Sequence, residues 1–313
     1  MAITEWDKEI RSAESYRKVI RGYDEPDASL DYKAQKEIFY LLRELAEDKR
    51  ANVQPVICTH SISMVDRAPP KIINHVICED GKSCIHHLLG DDDDDIKEFI
   101  ESVSEISGLS NSCLFFERCF LLVEGYTEPN ALPIIYKKMT GRSFSEDGVV
   151  LVNLKGNGSW EQFLKLLSRN KSNATLLLLD TDTQRDSGSR VTKAKLSTIG
   201  FSETFLDENI IFIGKNEFED IFSDATICHC LNRHYPKPDE SLWELEEIQA
   251  IRSEPKFSDA IKDMVNKMNG GRGNGYLTKP EFGRKIAEIT SAEELNEIDE
   301  LTMMIEKIQT IVS

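Results

Sequence analysis

The chain has 313 residues, 40% hydrophobic and 30% charged, the composition of an ordinary folded protein with room for two domains. Its formal net charge of −17 excludes nucleic-acid binding by bulk electrostatics alone, though not a nucleic-acid enzyme whose carboxylates hold metal ions. No apolar run approaches the roughly 18 residues of a membrane span, the N-terminal MAITEWDKEIRSAE has no signal-peptide core, and seven cysteines without framework spacing fit a reducing cytoplasm.

Lys18 to Tyr23 makes a poor buried strand. Leu30 to Asp48 carries Ile38, Leu41, Leu42 and Leu45 at helical spacing, and Val53 to Cys58 reads as a short buried strand. Ala68-Pro69-Pro70 breaks the chain, and Lys71 to Cys78 followed by Cys84 to Leu89 reads as a hairpin about Asp80-Gly81. Between His86 and Gly108 eight acids, Asp91 to Asp95 among them, stand against Lys97 alone. Five adjacent acids repel one another and solvate well, which favours a surface loop over a cation site. Ile96 to Leu109 is a helix candidate, and Asn111-Ser112 a junction.

From Phe115 the pattern becomes a regular alternation of strand and helix. Cys119 to Val123 is a buried strand, Glu128 to Met139 a helix, Gly148 to Leu154 a second strand, and Ser159 to Leu167 a second helix with a capping serine. Ala174 to Leu179, nearly all leucine, is a third strand of the kind covered on both faces, and Asn209 to Ile213 a fourth. This is the rhythm of a doubly wound, mostly parallel α/β sheet. Beyond Asp220 the sequence is helical, broken by glycines between Asn269 and Gly275. The stretch from Lys262 to Lys285 sets six bases against two acids.

Polar chemistry follows the strands. The first runs into Glu124-Gly125 and Thr127-Glu128, the second into Lys155-Gly156-Asn157-Gly158, and the third into Asp180-Thr181-Asp182. Ligands of open α/β sheets bind outside the carboxyl ends of the strands, so these acids should converge as hard oxygen ligands for Mg²⁺ or Mn²⁺. A glycine after Glu124 permits a tight turn there.

CFLLVEGYTEPNALP (Cys119 to Pro133), followed by LLLLDTD (Leu176 to Asp182), resembles a toprim domain, the fold shared by topoisomerases, primases and a class of nucleases. With NEFEDIF at Asn216 to Phe222, it is most similar to the overcoming-lysogenisation-defect (OLD) nucleases, Gabija defence nucleases included. The resemblance implies a two-metal DNA endonuclease or nickase acting in anti-phage defence. Glu124, Glu128, Asp180 and Asp182 match the principal metal ligands, and Glu217 and Glu219 match a weaker element completing a second metal site. Lys279, in TKPEFGRKIAEI, is the best match for the lysine that the family sets near the phosphate, with Lys215 as competitor. Glu124, Asp180, Asp182 and Lys279 would thus be catalytic. A topoisomerase would need a tyrosine nucleophile in a further domain; a primase would incorporate nucleotides.

Upstream, GYDEPDASLD (Gly22 to Asp31) resembles an ABC-type Walker B strand with its D-loop, and VICTHS (Val56 to Ser61) resembles the switch strand. By that resemblance Asp24 assists Mg²⁺, Glu25 polarises the attacking water and His60 senses the γ-phosphate. No G-x-x-x-x-G-K-[ST] loop and no LSGGQ-like helix is present, so the ATP site is incomplete. The expectation is a partial ABC ATPase lobe over 1–112 and a toprim domain over 113–313, helical from about 222. The chain is then either cut short or one half of a natural split, and it uses ATP only with a complementary ATPase half. DNA is the expected substrate, and a homo-oligomer or a separate ATPase chain the expected partner. A regulatory subunit without catalysis is the alternative. Without the missing lobe, Ile38 to Leu45 should stand exposed. Cys228-His229-Cys230 is too tightly spaced for zinc, and Trp160 and Trp243 are core candidates.

Overall fold

The computed structural model describes residues 19–48, 52–69, 72–79, 81–87, 111–154, 160–184, 191–269 and 276–313. The acidic run 91–95, the helix expected over 96–109, the turn 155–158, the capping Ser159 and the glycine-rich stretch 270–275 lie outside the described residues. Two compact units are present: Met1–Asp92 with Ile100–Phe115, and Asp93–Phe99 with Phe116–Ser313.

In the first unit β1 (Val19–Asp24) runs parallel to β2 (Val53–Cys58), with Asp24 opposite Cys58. Parallel neighbours need a crossover, and α1 (Tyr32–Glu47) supplies it, capped by Asp31, whose carboxylate accepts from the Ala34 amide at 2.9 Å. Two expectations are corrected here. Lys18 to Tyr23 reads poorly as a buried strand, yet β1 forms because only alternate residues turn inward. Ile38 to Leu45 is not an exposed apolar face: Phe39, Leu42 and Leu45 are buried, Phe39 and Leu42 packing with Met64 of the short helix α2 (Ile62–Val65). The expected hairpin is present as β3 (Asn74–Glu79) and β4 (Lys82–His87), with Gly81 at φ 74° in the turn. Helix α3 spans Asn111–Phe116.

The second unit holds the expected parallel sheet. Strands β5 (Cys119–Val123), β6 (Val149–Asn153), β7 (Thr175–Asp180) and β8 (Ile210–Ile213) lie in the order β6-β5-β7-β8, all parallel. All five residues of β5 are buried, as expected of a central strand with helices on both faces. On one face Phe120 meets Phe163 of α5 (Trp160–Asn170) edge to face at 6.3 Å; α4 (Glu128–Thr140) connects β5 to β6. Helices α6 (Lys193–Ile199) and α7 (Glu203–Glu208) lead from β7 to β8.

Six further helices follow: α8 (Asp224–His234), α9 (Leu245–Ile251), α10 (Phe257–Met268), α11 (Lys279–Ile289), α12 (Ala292–Asn296) and α13 (Asp299–Val312). They share the core of the sheet. Leu121, Val123, Leu176 and Leu178 belong to one apolar cluster with Phe257, Ile286, Leu301 and Met304. Trp243 is buried there and its indole N–H donates to the Tyr235 carbonyl, while Trp160 is buried under the sheet's other helical layer. Cys230 is buried, and Cys228 donates its thiol to the Trp243 carbonyl. Among the described residues no helix is long and apolar enough to cross a membrane.

Helices α4 and α11 lie alongside each other in the same direction. A side chain at Gly283 would place its Cβ 2.5 Å from Thr127 Cγ2 and 2.8 Å from the Thr127 carbonyl oxygen. At the other end Lys138 Nζ donates to the carbonyls of Glu288 and Thr290, both at 2.7 Å. Gly283→Ala should therefore destabilise. Helix propensity alone would gain about 1 kcal/mol, whereas the clash with backbone should cost about 1–3 kcal/mol net, measurable by thermal or urea unfolding.

Candidate functional site

The carboxyl edge of the parallel sheet collects the acids. Val123 stands opposite Leu178, so Glu124, one residue on, and Asp180, the last residue of β7, leave neighbouring strands at the same edge. Glu124 is buried. After Gly125 the chain turns so tightly that the Glu128 carboxylate occupies the space of a side chain: a Cβ at Gly125 would lie 2.2 Å from Glu128 Oε2. Glu128 Oε1 in turn accepts from the Gly125 amide at 2.8 Å. The Glu-Gly pair is thus a geometric requirement of the Glu128 position.

The turn after β8 folds over the end of β7. Gly214 has φ 71°, and a Cβ there would stand 2.0 Å from the Glu217 carbonyl oxygen, so only glycine fits. Thr181 donates its hydroxyl to the Gly214 carbonyl at 2.7 Å, and the Asp182 amide donates to the Asn216 carbonyl at 3.0 Å. Asp180 Oδ1 accepts at 2.9 Å from the amide of Phe218, the residue between Glu217 and Glu219 in sequence. Asp220 Oδ2 accepts from the amides of Asn216 and Glu217 at 2.8 and 3.0 Å and fixes the single helical turn Phe218–Ile221.

Glu217 and Glu219 are buried and held from opposite sides. Ser258, in the first turn of α10, donates to Glu217 Oε2 through both its amide (3.0 Å) and its hydroxyl (2.7 Å). Thr127, at the N-cap position of α4, makes no cap with its side chain; its hydroxyl donates to Glu219 Oε1 at 2.5 Å. Burial pushes the Glu219 carboxyl up to about 7; the neighbouring charges of Glu128 and Glu217 push the same way, against the Thr127 hydrogen bond.

Lys279 begins α11 and points into this cluster. Its Nζ lies 3.1 Å from Asp259 Oδ1 and 4.0 Å from Glu217 Oε1. Burial works against its charge, but Glu217, Asp259 and Glu219 outweigh it and hold the ammonium above the ordinary lysine range. Lys215 is exposed on the turn after β8. Of the lysine candidates, Lys279 is the one seated against the acids. Asp24, Glu25 and His60 also come together, in the first unit. Asp24 ends β1, Glu25 has φ 43° and donates its amide to the Cys58 carbonyl, and His60 Nε2 lies 3.6 Å from Glu25 Oε1.

Among the described residues no three acids, histidines or cysteines already surround a point as ligands of one ion. Glu128, Asp180, Glu217 and Glu219 are each engaged by a separate donor, from Gly125, Phe218, Ser258 and Thr127 in turn. The donor set nonetheless fits a hard divalent cation: it is all carboxylate, and a cation would offset both the burial that chiefly raises Glu219 and the added push of Glu128 and Glu217. Thr127 and Asp220 stand in sequence only as members of the VEGxTE and NEFEDIF motifs, without the roles they take here, and Gly214, Ser258 and Asp259 stand in no motif. Gly214 and the Glu217-x-x-Asp220 capping pattern carry a local signal for the turn; nothing local marks Ser258 or Asp259.

Residues 115–182 match the family described as overcoming lysogenization defect protein-like, TOPRIM domain. The Old nuclease of Escherichia phage P2 is 31% identical over 172 residues, 51% of this chain. The chain covers only 28% of that protein's length. The C-terminal region of the Burkholderia pseudomallei OLD protein superposes at 15% identity with a TM-score of 0.45, over 64% of this chain and all of that one. The corresponding region of the Xanthomonas campestris pv. campestris OLD protein does so at 15% identity and 0.40, over 63% of this chain and 97% of that one.

A buried acid with a raised value gives a signed pH dependence. Between its unfolded value of about 4.3 and its folded value near 7, the native state holds the Glu219 proton that the unfolded chain has lost. Glu219 therefore contributes stability at low pH that is lost as pH rises through this window. In EDTA, Glu219→Gln should raise the unfolding midpoint relative to wild type more at pH 8 than at pH 5, as read by differential scanning calorimetry.

Proposed function

We propose, on the premise that this chain is an OLD-family toprim protein of nuclease type, that it is a divalent-metal-dependent DNA endonuclease or nickase. The observation that carries the reading is the seating of Lys279 against a buried set of carboxylates at the carboxyl edge of a parallel sheet. Glu124, Glu128, Asp180 and Asp182 would hold Mg²⁺ or Mn²⁺, with Glu217 and Glu219 completing a second position. Bound there, the ions supply an activated water and neutralise charge on the leaving oxygen.

The chain's own groups do the rest. The Gly125 amide orients Glu128 and the Phe218 amide orients Asp180, so both carboxylates are fixed before substrate arrives. An all-acid site attracts cations but repels a phosphodiester. Lys279 meets that problem by placing a fixed positive charge where negative charge builds up on the phosphate. Its raised value keeps it protonated through the neutral range.

Coupling to an ATPase and a role in defence against phage belong to the same proposal. The grouping of Asp24, Glu25 and His60 supports the first, and the family resemblance the second. ATP would serve only where a complementary half supplies the phosphate-binding loop. A homo-oligomer or that separate half is the proposed partner, and the cytoplasm the proposed compartment.

Supercoiled plasmid should be nicked or linearised with Mg²⁺ or Mn²⁺ and left intact with EDTA. Asp180→Asn and Glu124→Gln should each abolish cutting while unfolding close to wild type; full cleavage by either variant sinks the site. Lys279→Ala should slow cleavage by at least about tenfold, the scale of one lost electrostatic contact, with Mn²⁺ affinity near wild type. If Lys215→Ala loses the rate instead, the lysine assignment is wrong. The chain alone should turn over no more ATP than a Glu25→Gln control in a phosphate-release assay.

A further inference from the structure

The first turn of α10 touches both halves of the site. Ser258 spends its amide and its hydroxyl on one oxygen of Glu217, Oε2, and so directs the other, Oε1, toward Lys279. The next residue, Asp259, takes the Lys279 ammonium at 3.1 Å, closer than the 4.0 Å to Glu217. Asp259 is nearly half exposed, whereas the Glu217 side chain is almost wholly buried. Lys279 therefore lies between two carboxylates and is drawn by the outer one away from the inner one.

We propose that Asp259 is a positioning residue that keeps Lys279 from closing onto Glu217, leaving Glu217 available to a cation and the ammonium available to the phosphate. The inference rests on the metal-dependent reading above. A buried carboxylate attracts an ammonium strongly once no competing anion is near. Without Asp259, Glu217 is the remaining carboxylate within 4.0 Å of the Lys279 ammonium among the described residues, and the two would form a contact pair. Such a pair costs the site twice: one acid is neutralised, and the lysine is turned from the substrate. Ser258 supports the arrangement by holding Glu217 from behind.

The test is Mn²⁺ binding by isothermal titration calorimetry on the full chain, with plasmid cleavage as a second readout. Asp259→Ala should weaken Mn²⁺ binding at least about fivefold and slow cleavage about tenfold. Adding Lys279→Ala to it should restore Mn²⁺ affinity to near wild type while cleavage stays slow. A merely structural role predicts no such recovery, because a second substitution would only add damage. Asp259→Glu, which keeps the anion, should rescue both readouts, and the exposure of Asp259 makes all three variants compatible with folding, checked by thermal unfolding. Wild-type Mn²⁺ affinity in Asp259→Ala, or weak binding that persists in the double variant, overturns this inference alone. Failure of the wild-type chain to bind Mn²⁺ overturns both it and the proposed function.

Discussion

Carboxylates crowded at one sheet edge and withdrawn from water repel each other, and the second unit is arranged around containing that repulsion. Each acid for which a donor is resolved takes it from a different element: Glu128 from the turn after β5, Asp180 from the turn after β8, Glu217 from α10 and Glu219 from the start of α4. The donors are short and local on one side only. Where the distance in sequence is three residues, as between Gly125 and Glu128, a tight turn suffices. Where it is 92, as between Thr127 and Glu219, the whole sheet must be in place first.

That difference explains what the sequence disclosed. Fully apolar strands such as CFLLV and TLLLLD are unambiguous, since all-round burial in five or six residues leaves little besides a central parallel strand. The acids behind them lie at strand ends and are legible from topology alone. Val19–Asp24 was harder, because a half-buried strand with Arg21 and Gly22 at its centre shows no apolar run. The cover over Phe39, Leu42 and Leu45 is illegible for another reason: helical spacing tells that a face is apolar, not what covers it. Ser258 and Asp259 left no trace, since a serine and an aspartate in the first turn of a helix look like ordinary helix-start chemistry.

The helices beyond residue 222 look in sequence like an appendage to the sheet. In the structure they share its apolar core and provide Lys279, the basic group seated against Glu217. The buried acids belong to the α/β part, while Lys279 and its partner Asp259 belong to the helical part, so neither part alone carries the balance of charge at this edge.

The seating of α11 on α4 through Gly283 has a consequence for biosynthesis. The two helices are joined by a hydrogen bond whose partners stand 150 positions apart. A chain emerging from the ribosome presents its earlier parts first, so the acids are made before Lys279, while the core beneath them waits for α10, α11 and α13. A product that stopped before Lys279 would keep the strand-end acids, yet lack the ammonium seated against Glu217 and the helical half of the core. Docking of α11 thus brings the charge balance and the packing of the sheet edge together, in one step.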